Sequence, residues 1–355
     1  GMGDGSFLVV TADDGTIPLR PGQTVESVLA TRRELELHQY YEEIRAHTFE
    51  TVWVDVSVEA AEGWRRWNRG ASGPSDAAAE AFAALNREVD AAVREVAGRS
   101  ASGRAFVRMS TRSPKDAFDK VPRLRDRAVA ELRSRFSSTG GADPPSPNAQ
   151  LAALDDTVGG LLSVHDGHEA WELFALSERC VSDLVRLLDY RHALPCWDLK
   201  IIIREYVPLP SSSEYRCFVH EGTLTAISQY FASTFYPEVV ATFSATQERI
   251  QRFFADHCTT ITLGAEKSFI LDVAVTAERV WIIELNPFSP TTGSCLFNWD
   301  ADAETLRSSP VEFRVRREPL RGVEALVRPY RPLMEQALCK PNADTPTHDS
   351  RCDVM

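Results

Sequence analysis

Asp272, Glu284 and Asn286 stand out because they interrupt two otherwise apolar, β-branched runs, SFILDVAV (268–275) and RVWIIELNPF (279–288). Such runs read as the strands of an antiparallel hairpin. Glu284 and Asn286 are two positions apart and so share a face. A three-residue turn, Ala277-Glu278-Arg279, sets Asp272 opposite Glu284, whereas a two-residue turn would send Asp272 to the other side. In the first register two carboxylates and an amide converge, and buried carboxylates repel unless a cation offsets them. Hard oxygen donors suit Mg²⁺, which takes one or two carboxylates and leaves its other positions to water and nucleotide phosphates. The competing reading is a solvated hairpin end in which Asp272 and Glu284 pair with arginines. Pattern alone leaves both open. Pro287, with no N–H to donate, ends the second strand.

Two basic segments could face such a site. FVRMSTRSPKDA (106–117) brings Arg108, Arg112 and Lys115 among Ser110, Thr111 and Ser113. Guanidinium, ammonium and hydroxyl groups are phosphate-binding types. The segment lacks the glycines of a Walker A loop, and a solvated basic loop is the plainer alternative. IIIREYVPLPSSSEYRCFV (201–219) reads as a strand, a Pro-bounded connection and a second strand. Ile203–Tyr206 could offer backbone hydrogen bonds to an adenine and Arg216 could reach a phosphate; Arg204 and Glu214 could equally be a cross-strand ion pair. No Ser-His-Asp or Cys-His arrangement suggests other chemistry. His165 and His168 read as surface residues, since no Cys or third His lies near them.

The elements that must position these residues follow from periodicity. Strands are expected at 7–10, 48–56, 105–110, 201–207, 214–222, 223–231 and in the hairpin. Helices are expected within 24–47 and over 76–97 (with Ser75 as N-cap), 124–136, 149–162, 169–190 and 246–258. Residues 137–148, rich in Ser, Gly and Pro, read as a loop. A helical middle followed by an antiparallel β-rich half predicts an α+β fold of two lobes, with ligand between them. The expected division is 1–200 for the N-terminal lobe, 201–338 for the C-terminal lobe and a disordered tail over 339–355.

Composition narrows the function. Of the 355 residues 43% are hydrophobic and 25% charged, as in ordinary globular proteins. The net charge of −12 and pI of 5.2 argue against a nucleic-acid binder. No apolar run approaches the ~20 residues of a membrane span. The seven cysteines are scattered without a C-x-x-C pair, which predicts reduced, mostly buried thiols. Gly1 before Met2 reads as a scar of tag removal, and no leader is evident. The expectation is a cytoplasmic, monomeric protein with no nucleic-acid or membrane partner.

Taken together, the segments resemble the cell division cycle protein 123 family, a branch of the ATP-grasp superfamily. The likeness runs from about Tyr40 to Trp299 through YYEEIRAHTFETV, RMSTRSPKDA, SERCVSDL, REYVPLPSSSEYRCFV, AISQ and LDVAVTAERVWIIELNPF, in the family's order. The resemblance implies a two-lobed ATP-grasp fold with antiparallel sheets and ATP and Mg²⁺ as cofactors. It places Arg108, Ser113, Lys115 and Asp116 in an ATP-contacting loop, Arg204, Glu205 and Tyr206 at an adenine hinge, Arg216 at a phosphate, and Asp272, Glu284 and Asn286 on the metal. It also implies an assembly factor for the gamma subunit of translation initiation factor two. Active ATP-grasp ligation or phosphotransfer, or a purely structural nucleotide, are the alternatives. The sequence departs from the family pattern at Arg108 (commonly Lys), Arg112 (small), Glu284 (often Asp) and Tyr230-Phe231 (often Arg-Asp), and its hairpin is one residue shorter.

Overall fold

A computed structural model describes residues 33–70, 76–138, 144–194, 196–261, 263 and 267–339. The strand expected at 7–10, Ser75 and the tail beyond residue 339 lie outside these residues. Two sheets form the frame. The first contains β1 (Thr51–Asp55), β2 (Ala105–Met109), β3 (Ser163–Val164) and β4 (Lys200–Glu205), in the order β1-β4-β2-β3 and wholly antiparallel. The second contains β5 (Glu214–His220), β6 (Thr223–Gln229), β7 (Phe269–Val275), β8 (Val280–Pro287) and β9 (Glu312–Arg314), in the order β8-β7-β5-β6-β9. Its one parallel pair, β6 with β9, makes this sheet mixed rather than antiparallel throughout.

Helices cover the first sheet. The helix Ala77–Arg99 buries Ala78, Phe82, Leu85, Val89, Val93 and Val96, the stripe its periodicity predicts. Its N-cap is Asp76, whose carboxylate accepts from the Ala79 N–H at 3.0 Å. The single helix expected over 169–190 is two, Gly167–Leu176 and Glu178–Asp189. Ser177 breaks it: its backbone is extended, and its hydroxyl caps the second helix by accepting from the Cys180 N–H at 3.2 Å. On the second sheet, the helix Phe243–His257 buries Ile250 and Phe254.

The strand β4 is buried on both faces, as a central strand must be. Ile201 and Ile203 pack into the helical core, while Ile202 shares a core with residues of the second sheet such as Tyr215 and Leu285. Arg108 of β2 lies directly opposite Ile202. The first sheet therefore turns Arg108 and Ile202 toward the second. No helix among the described residues is long and apolar enough to cross a membrane. Of the described cysteines, Cys180, Cys217 and Cys258 are buried and Cys196 and Cys339 are exposed, so burial is less general than expected.

Candidate functional site

The hairpin has the expected register at Asp272, but by a different route. Its turn is the shorter one: the Thr276 N–H donates to the Arg279 carbonyl at 3.0 Å, leaving two residues at the tip. That turn alone would misplace Asp272. A β-bulge restores it, because pairing shifts between Val273↔Ile282 and Asp272↔Glu284, with Ile283 as the extra residue. Asp272 and Glu284 therefore face each other across adjacent strands.

The bulge is held from outside. Arg204 Nη1 donates to the Ile283 carbonyl at 2.7 Å and Nη2 to Thr48 Oγ1 at 2.6 Å. Thr48 Oγ1 in turn donates to the Ile282 carbonyl at 2.7 Å, and the Leu285 N–H donates to the Tyr40 hydroxyl at 2.9 Å. The Arg204 guanidinium lies over the Phe49 ring, 4.6 Å from its centroid, and Phe49 stacks on Trp281. Tyr40, Thr48 and Phe49 are the aromatic and Thr-Phe positions of the N-terminal signature, so that signature serves the hairpin. Burial pulls the Arg204 guanidinium down to about 10.

Both carboxylates meet arginines. Arg216 on β5 grips Asp272 with two bonds, Nε to Oδ1 at 2.8 Å and Nη2 to Oδ2 at 2.7 Å, and its Nη1 donates to the Gly293 carbonyl at 2.5 Å. Asn286 Nδ2 donates to Asp272 Oδ2 at 3.0 Å, and Arg108 Nη1 donates to Glu284 Oε2. Pairing with arginines was one of the two readings, but the pair is not solvated, since Asp272 is 1% exposed. Burial pushes the Asp272 carboxyl up against the pull of Arg216. Burial also opposes ionisation of Glu284, yet Arg108 and Lys115 outweigh it and hold that carboxyl at about 2.

Arg108, Ser113, Lys115, Arg216, Glu284 and Asn286 line one cavity of about 480 Å³. Seven cationic and four acidic side chains line it, an excess of positive charge in a chain of net charge −12. Such a cleft attracts anions. Lys115 Nζ lies 3.4 Å from the Tyr230 hydroxyl, and the Arg216 guanidinium stands over the Tyr230 ring, 5.0 Å from its centroid. Among the described residues no group of three His, Cys, Asp or Glu is placed to hold a metal ion. Two facing carboxylates beside an amide are nonetheless the donor types of a hard dication, provided the arginine contacts are exchanged for it.

Other predicted residues serve elsewhere. Asp116 Oδ1 accepts from Ser177 Oγ at 2.6 Å and Oδ2 from the Arg179 N–H at 3.2 Å, tying the basic loop to the helix Glu178–Asp189. Arg204 lies in the first sheet and Glu214 in the second, so they are not a cross-strand pair. Glu205 Oε1 accepts from the Glu50 N–H at 3.2 Å, and the Tyr206 N–H donates to the Arg104 carbonyl at 3.1 Å. The strand β4 pairs on both sides, with β1 and with β2, so Ile203–Glu205 has no open edge for a base. Sequence reasoning missed Arg179, Asp183 and Arg186, which also line the cavity. Their i, i+4, i+7 spacing was the available signal. His168 is exposed, as expected.

The comparisons fit this architecture. The structure of Cdc123 from Schizosaccharomyces pombe matches with a TM-score of 0.55 at 17% identity, covering 81% of this chain and 98% of that one. The fold is thus that of Cdc123, an α+β arrangement of helices and sheets consistent with an ATP-grasp-like fold. The D123 family model matches residues 162–325, a little under half of the chain. A translation initiation factor eIF2 assembly protein of Xenopus tropicalis is 31% identical over 32% of this chain and 33% of its own length. The protein of that name from S. pombe is 26% identical over 54% of this chain and 61% of its own. The chain thus spans about a third of the first relative and under two thirds of the second.

Proposed function

We propose that this chain binds Mg-ATP in the cavity between its sheets and acts as an assembly factor for a protein partner. The observation that carries the nucleotide reading is the cluster itself: Arg108, Lys115, Arg216 and Glu284 line a positively charged cavity of a negatively charged protein, with the buried Asp272 behind Arg216. Arg108, Lys115, Arg216 and Ser113 would take the phosphate oxygens. Asp272, Glu284 and Asn286 would hold the magnesium, which supplies charge neutralisation between phosphates. To hold the metal, those carboxylates would have to give up Arg108 and Arg216, which would then be available to the phosphates. Thermal shift of the full chain with ATP, with and without Mg²⁺, tests this. Stabilisation that requires both is expected; none at saturating nucleotide sinks the reading.

The match to the D123 family model and the shared name of the curated relatives support the assembly role. The partner proposed is translation initiation factor two, through its gamma subunit. Co-purification of the two proteins with and without Mg-ATP checks it. No association in either condition overturns it.

A further inference from the structure

The helix Glu178–Asp189 turns one stripe, Arg179, Asp183, Arg186 and Leu187, into the cavity, while Cys180, Leu184 and Leu188 on its other face are buried in the helical core. The acids around Arg179 are all engaged. Asp183 Oδ2 takes Arg112 Nε at 3.1 Å and its Oδ1 takes Arg186 Nη1 at 3.1 Å. Asp116 is spent on Ser177 and a backbone N–H, Glu178 on Lys120, and Glu284 on Arg108. Among the described residues the Arg179 guanidinium has no hydrogen-bond or ion-pair partner. Arg112 and Arg186 thus both take the Asp183 carboxylate, and none is left on this wall for Arg179. Burial pulls the Arg179 guanidinium below its ordinary value, and the neighbouring charge of Arg112 adds to the pull. Crowded like charges in a half-buried wall are costly unless a ligand supplies the missing anion.

Apolar side chains also line the cavity, beside Arg33, Glu36 and Asp198. Leu35, Leu187, Leu194, Trp197 and Leu199 are among them. Trp197 spends its N–H on the Val56 carbonyl at 2.5 Å, so what its ring offers a ligand is apolar surface. A guanidinium fork in a cavity that also offers leucine and tryptophan surface suits an oxyanion carried on an apolar body.

We propose that Arg179, backed by Arg112, anchors a second ligand in the cavity beside the nucleotide: a small carboxylate or phosphate monoester with an apolar body. The inference rests on the nucleotide reading only for what lies next to it. A nucleotide site and an acceptor-anion site in one cavity are the layout of a two-substrate protein.

Titration calorimetry of the full chain with benzoate, phenyl phosphate and benzyl alcohol, with and without saturating Mg-ATP, tests it. At least one aryl anion is expected to bind while the alcohol does not, and which anion binds distinguishes carboxylate from phosphate. Arg179→Gln should weaken that binding by about tenfold or more, Arg179→Lys by less, and Arg125→Gln, on the exposed surface, not at all. Equal binding of the alcohol, unchanged affinity in Arg179→Gln, or full displacement by ATP would each overturn the proposal. ATP binding is read on the same samples. A chain that holds ATP but neither anion sinks this site alone, and one that holds an anion but not ATP sinks the nucleotide reading alone.

Discussion

Arg204 reaches from the first sheet to the carbonyl of Ile283 at the bulge of the second, at 2.7 Å. The contact joins the wall that carries Arg108 to the hairpin that carries Glu284. Removing it leaves a buried carbonyl and Thr48 without their donor. Arg204→Ala is expected to cost about 2–4 kcal/mol of stability, and Arg204→Lys, lacking the fork, most of that. Urea unfolding reads the loss. A variant as stable as the parent would mean that the bulge holds itself.

Asp272→Ala should weaken Mg-ATP binding far more than Cys295→Ala. It should also destabilise the chain by about 3–5 kcal/mol, because Arg216 is left buried without its carboxylate. Calorimetric titration and thermal melting separate the two effects. Equal affinities in the two variants refute the metal assignment.

Glu284→Gln removes a ligand and frees Arg108 at once. ATP without magnesium is therefore expected to bind at least as tightly as to the parent, while the gain from added Mg²⁺ shrinks roughly tenfold. If the magnesium effect persists undiminished, Glu284 is a structural partner of Arg108 and nothing more.

Glu36 gives the chain a pH dependence. Burial pushes its carboxyl from 4.5 up to about 7 in spite of a hydrogen bond from Ser110. The folded chain thus keeps a proton that the unfolded chain has already released between those values. Stability should fall as pH rises from about 4.5 to 7 and level off above. Glu36→Gln should remove that slope and be more stable than the parent by about 3 kcal/mol at pH 8, with little difference at pH 4. Urea midpoints at pH 4, 6 and 8 check it, and an unchanged slope rejects the assignment.

Much of the frame was legible because it rests on local periodicity. The stripe of Ala77–Arg99, the strands β5 to β8 and the shared face of Glu284 and Asn286 all follow from spacing. What spacing could not convey was contact between distant segments. The bulge at Ile283 depends on Tyr40, Thr48 and Arg204, which approach it only after the sheets dock. Arg204, read as part of a hinge, also clamps the bulge. The break at Ser177 was hidden for another reason: both flanking segments are helical, and only the cap shows where one stops. The free guanidinium of Arg179 was invisible for want of knowing which acids its neighbours had taken.

With residues 282–285 held by side chains from elsewhere, the exposed tip at Ala277-Glu278 is relieved of setting the strand alignment. That makes it a natural splice point. A short fluorescent tag inserted between Ala277 and Glu278 would ride on the strands that carry Asp272 and Glu284 without entering the cavity. The hairpin would then become a built-in reporter of whatever the cavity holds.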